Sequence, residues 1–176
     1  MYDLLARLAD AIARIAALAG GIILLAITVL TCVSIIGRAL VPLGIGPGPI
    51  RGIYDYTEIA IAVAIFAFLP ICQLQRGHAT VDLFTPYFPG TANRVLDLVM
   101  DIAMCAVAVV GAQRLYLGML DKLGYGETTL IAQVPVWQGY AAALVGAVAF
   151  ALVAAFCILR SARALLRGET DDPRHV

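Results

Sequence analysis

The sequence predicts an all-α integral membrane protein of four transmembrane helices, and three observations carry that prediction. Hydrophobic residues make up 62% of the 176-residue chain and charged residues 14%, with a mean hydropathy of +0.93, far from the roughly half-apolar, quarter-charged profile of a soluble domain. The longest uninterrupted apolar run, Ile15 to Ile36 between Arg14 and Arg38, has about the 20 residues that a bilayer-spanning helix needs. Three further apolar stretches follow, separated by short charged segments. Little of the chain is left over, so a single membrane domain covering residues 1–176 is expected, with spans at about 15–36, 58–75, 96–120 and 136–159.

Ahead of the first span, Leu4, Leu5, Leu8, Ile12 and Ile15 recur at helical spacing while Asp3, Arg7, Asp10 and Arg14 fill the other face with opposite charges four apart. This predicts an amphipathic lead-in lying at the cytoplasmic interface; the alternative is the solvated start of one long first helix. Arg7 and Arg14 before an apolar run also resemble a signal peptide. The run is too long for an h-region and ends in Gly37-Arg38 without a small-residue cleavage site, so a retained span is expected.

Between the first two spans, residues 41–53 carry Pro42, Pro47 and Pro49 among Gly44, Gly46, Gly48 and Gly52, a turn-rich connector. Its Gly-x-Gly character lacks the strand and soluble helix that a phosphate-binding loop requires. The second span, Ile59 to Leu74 between Glu58 and Arg76, is short and contains Pro70. A helix beginning near Tyr54 places Asp55 and Glu58 on one face, where they complement the helix dipole or meet a partner. Beyond the span, Arg76, Gly77, His78 and Asp82 follow within a few residues. Arg76 can pair with Asp82 there, or either with another protein, and His78 can titrate near neutrality.

The third span is less clean, because extending it to Leu96 and Leu120 takes in Asp97, Asp101 and Arg114. Arg94, Asp97 and Asp101 share a helix face and are expected near the cytoplasmic interface or turned toward another polypeptide, since burial in lipid costs several kcal/mol each. Arg114 can snorkel along its stem. The fourth span, from Val136 to Leu159, is unambiguous. Four crossings put both termini on one side, and a cytoplasmic placement leaves Arg7, Arg14, Arg76, Arg94, Arg160, Arg163, Arg167 and Arg174 inside against Arg38, Arg51, Arg114 and Lys122 outside. That bias predicts an N-in, C-in topology.

Cys32, Cys72, Cys105 and Cys157 fall one per apolar stretch with no C-x-x-C pair, which argues against a disulfide framework, a zinc site or a thiol oxidoreductase. They are expected to be small packing residues. No nucleophile with a base, metal-ligand set or convergent polar path is apparent.

The boundary residues occur in a familiar order. Gly37-Arg38 ends the first span, a Pro/Gly loop leads to the aromatic and acidic Tyr54 to Glu58, Arg76-Gly77-His78 precedes Val81-Asp82, and Thr128-Thr129-Leu130 leads to Val134-Pro135-Val136-Trp137 and Tyr140. From about Leu18 to Leu166 the chain resembles the small membrane subunit of tripartite ATP-independent periplasmic (TRAP) transporters, the DctQ-like family. It departs from the pattern at Tyr56-Thr57-Glu58 and at Thr129.

The resemblance implies a multi-pass protein of the bacterial inner membrane without catalytic residues or a cofactor of its own. Its implied partners are the lipid bilayer, a large permease subunit that binds substrate and sodium, and a periplasmic binding protein that captures an organic acid; no nucleic acid is expected. Arg38, Asp55, Glu58, Arg76, His78, Asp82 and Trp137 are the candidate structural and partner-contact residues. Two rivals come from other classes: an integral membrane enzyme using His78, Asp82, Asp97 and Asp101, which lacks a second histidine, and a stand-alone proton-coupled transporter.

Overall fold

The computed structural model describes residues 2–44, 48–77 and 90–167. Four helices make up almost all of it: α1 (Tyr2–Leu40), α2 (Ile53–Leu74), α3 (Gly90–Tyr125) and α4 (Val136–Arg167), with a 3-10 turn at Val41–Leu43. Each of the four is long and apolar enough to cross a membrane. Because they alternate in direction, α1 begins and α4 finishes at one end of the bundle, called here the termini end; the other is the loop end.

The punctuation is local. Pro42 tightens the chain after α1 into the 3-10 turn, and Gly44, in the left-handed region at φ 68°, closes it. Pro70 lies inside α2 and is buried. It has no N–H to return to the carbonyl of Phe66, one turn earlier.

α4 is the hub. It packs on α1, α2 and α3, while α1 also packs along α2, so that α1 and α3 flank the α2–α4 pair. One core cluster joins Ala13 of α1 to Val153 and Cys157 of α4, with Ile71 and Leu74 of α2 against them. Another joins Ala108 of α3 to Phe150 and Ala154 of α4. Small residues set the closest approaches, as expected where lipid removes the hydrophobic drive for helix association. A Cβ on Gly146 would stand 2.7 Å from the Phe66 carbonyl carbon and 2.8 Å from its oxygen, the acceptor that Pro70 leaves without its usual donor. Gly20 lies similarly against Ala67, and Gly139 against Ile59.

The amphipathic start is continuous with the first span: α1 runs unbroken through residues 2–40. Its packing face is lined there by small residues. Leu4, Leu8 and Ile15 point outward while Ala9 and Ala13 are buried, and Tyr2 lies 5.8 Å from the ring of Phe156 with the Arg163 guanidinium 4.0 Å over it. The Asp10–Arg14 pair forms on the outside, at 2.8 Å. Among the cysteines Cys157 is fully buried, but Cys32 is exposed on α1, contrary to its expected packing role.

Candidate functional site

Two groups of polar side chains tie the helices together, one at each end of α2. At the termini end α2 closes with Gly77 N–H donating to the Cys72 carbonyl at 2.8 Å and Arg76 N–H to the Gln73 carbonyl at 3.2 Å, the paired bonds of a Schellman motif. Arg76 occupies its left-handed position, at φ 51°. A non-glycine residue there is strained by about 1 kcal/mol. In return the backbone aims the guanidinium across two helices: one nitrogen donates to Asp97 Oδ2 of α3 at 2.7 Å and another to Ser161 Oγ of α4 at 3.1 Å.

Deeper in the bundle sits the Asp101 carboxylate, only 5% exposed. It accepts Gln73 Nε2–H from α2 at 3.0 Å and the Ser161 hydroxyl from α4 at 2.5 Å. Arg160 completes the belt by donating to the Leu74 carbonyl at 3.1 Å. Each carboxylate thus meets a donor from a different helix, the condition under which a desolvated charge is tolerated.

This arrangement corrects one expectation. Asp101 faces the interior of its own bundle, neither the interface nor another polypeptide, because Gln73 and Ser161 supply polar partners at its depth. The partner found for Arg76 is Asp97; His78 and Asp82, expected to join this turn, lie outside the described residues. A set of polar groups therefore does converge within the spans, and sequence reading missed Gln73 and Ser161 altogether.

At the loop end Asp55 occupies the first turn of α2, yet it reaches beyond its own helix. Its Oδ2 accepts the backbone N–H groups of Ile131 at 2.9 Å and Ala132 at 2.8 Å, fastening the α3–α4 connection. Gly52, at φ 72°, permits the contact, since a Cβ there would lie 2.7 Å from that of Ala132. The connection is itself ordered by a Thr128–Pro135 bridge, by Val134 N–H donating to Thr129 Oγ1 at 3.1 Å and by a Lys122–Glu127 ion pair at 2.5 Å. Leu130 projects from its tip, 96% exposed. Replacing Asp55 with Ala is expected to speed amide hydrogen exchange at Ile131 and Ala132 while leaving the exchange of α2 and α4 unchanged; unaltered exchange at these two amides would refute the fastening role.

Among the described residues, the other sequence candidates do not join either group. Arg38 is exposed in the last turn of α1, Glu58 is exposed on α2, and Trp137 is half-buried in the first turn of α4. Asp55 and Arg76, the two that do bond, sit at opposite ends of one helix.

Comparison with curated proteins and with solved structures gave no match. The family described as "Tripartite ATP-independent periplasmic transporters, DctQ component" does match, over residues 27–165, a stretch that runs from the middle of α1 to the last turns of α4 and contains both polar groups. Four membrane-spanning helices held by interlocking polar ends, matched over most of their length by this family, make the chain a member of the DctQ components of TRAP transporters, a small membrane subunit of those systems.

Proposed function

We propose that this chain is a non-catalytic scaffold for the large permease subunit of a sodium-coupled TRAP system that imports an organic acid across the bacterial inner membrane. A periplasmic binding protein delivers the substrate, and the large subunit binds substrate and sodium. The observation that supports a scaffold most directly is the engagement of Gln73, Arg76, Asp97, Asp101 and Ser161 with one another across three helices. Side chains committed in this way fix helix positions; they do not form a series of vacant sites through which a solute or proton could pass.

The termini end is cytoplasmic in this reading, as the arginine bias favours. A cysteine introduced as Gly168→Cys is then expected to resist a membrane-impermeant thiol reagent in intact cells and to react after permeabilisation; reaction in intact cells would reverse the orientation. The scaffold role is tested by co-expression with a large permease subunit. Stoichiometric co-purification is expected, with sodium-dependent uptake of an organic acid in liposomes only when both membrane subunits and the binding protein are present. Uptake by this chain alone would establish the stand-alone transporter in its place.

A further inference from the structure

α2 sets the depth of the loop end. Its charge-free stretch, residues 59–75 between Glu58 and Arg76, covers about 26 Å of helix against a hydrocarbon core of about 30 Å, so a single crossing leaves the two charged flanks at the two boundaries. Glu58, exposed on α2, marks the boundary at the loop end. The neighbouring helices share that level, since Gly139 of α4 lies against Ile59 and Gly118 of α3 lies under the Tyr140 ring. Gly52 and Asp55 stand about 9 and 5 Å beyond Glu58 along the axis, and both meet the α3–α4 connection at Ala132. This is the headgroup layer, which adds about 5–8 Å to each side of the core.

What the connection presents at that level is apolar. Leu130 is 96% exposed and Ile131 59%, and looseness is not the cause: Asp55 holds the Ile131 and Ala132 amides while the Thr128–Pro135 bridge closes the turn behind them. A turn in water ordinarily carries polar residues at its tip. From Thr128 the chain has no charged residue until Arg160, although the helical part of that run, residues 136–159, already exceeds the core at about 36 Å. Residues 128–135 are therefore uncharged without being needed for the crossing. Tyr54 and Tyr56, on either side of Asp55, are exposed at the same level, and such amphipathic rings favour a membrane interface.

We infer that the tip of the α3–α4 connection is a membrane-interface anchor: Leu130 and Ile131 enter the headgroup layer at the loop end, and phospholipid covers them. Lipid is favoured over a water-soluble protein by depth, since such a partner meets residues beyond the headgroups. It is favoured over a second membrane protein by area, because two side chains supply far less than the roughly 800 Å² per partner of a stable protein interface. The inference rests on the four spans alone and is independent of the scaffold reading. Through Asp55, the anchor ties the start of α2 to the bilayer surface.

The test uses the full chain, by itself, in phosphatidylcholine nanodiscs. Trp137→Phe removes the only tryptophan, and Leu130→Trp then places one at the tip; Ile131→Trp gives a second tip position, and Leu152→Trp, exposed on α4, a control in the middle of a span. Helicity matching the wild type identifies the folded variants. The nanodisc lipid is brominated either high on its acyl chains or near their ends. Tip tryptophans are expected to emit to the blue of free tryptophan and to lose most of their intensity to the shallow bromines but little to aqueous iodide, whereas position 152 responds to the deep bromines. Emission like that of free tryptophan, quenched by iodide alone, would put the tip in water and overturn the inference. Blue-shifted emission that neither brominated lipid quenches would overturn it too, since protein and not lipid would then cover the tip.

Discussion

Asp101→Ala is expected to destabilise the bundle by about 3 kcal/mol, since it removes the acceptor of two hydrogen bonds and strands donors that have no water to turn to. Gln73 and Ser161, which donate to it, are each 2% exposed. Leaving a buried donor unsatisfied costs about 1–3 kcal/mol; the lower part of that range applies to each here, because an unfolded helix in a membrane also finds partners for its polar groups. Asp101→Asn preserves one carbonyl acceptor and should fall between the wild type and the Ala variant. The measurement is thermal unfolding in detergent, followed by helicity, with the two variants compared at equal concentration. A melting curve for Asp101→Ala that superimposes on the wild type would show that the buried carboxylate contributes nothing to holding α2, α3 and α4 together.

The other large effect belongs to Gly146. Its hydrogen faces the Phe66 carbonyl at a distance no methyl group can occupy, and the obstacle is backbone, which cannot rotate away. Gly146→Ala must therefore separate α4 from α2 locally, at about 1–3 kcal/mol, the usual cost of overpacking. Gly146→Leu should exceed this and reduce the yield of folded protein. The companion variant Pro70→Ala restores an N–H to the Phe66 carbonyl and leaves the glycine contact in place, so its stability should equal or exceed that of the wild type. If Gly146→Leu folded as well as wild type, the close approach of the two helices would have no energetic meaning.

The spans were legible because a membrane imposes length and apolarity on each segment separately, and the start of α2 could be placed from its interfacial aromatics and acids. The faces were not legible from the same pattern. In water, leucine periodicity marks the packed face; in lipid, large apolar side chains turn outward and small ones meet, which is why Ala9 and Ala13 are buried where Leu4 and Leu8 are exposed. Asp101 stood out as an acid in a span, but its partners lie 28 residues before it and 60 after it and carry no charge. Their common signal is faint: Gln73 and Ser161 are polar residues within about a turn of an arginine, at the same end of their helices. Asp55 looked like an ordinary first-turn acid, and only folding brings the 131–132 amides to it. The Pro70–Gly146 relation is a contact between residues whose positions in the sequence have no periodic connection.

The two polar groups share α2, and the distance between them is fixed. Asp55 and Arg76 are separated by roughly 31 Å of helix axis, close to one hydrocarbon thickness, whereas α1, α3 and α4 all overshoot it, with 39, 36 and 32 residues against 22. α2 is therefore a yardstick bolted at both ends. In a thinner or thicker bilayer it cannot lean independently without breaking one of its anchors, so the mismatch is met by tilting all four helices as a body or by deforming the surrounding lipid.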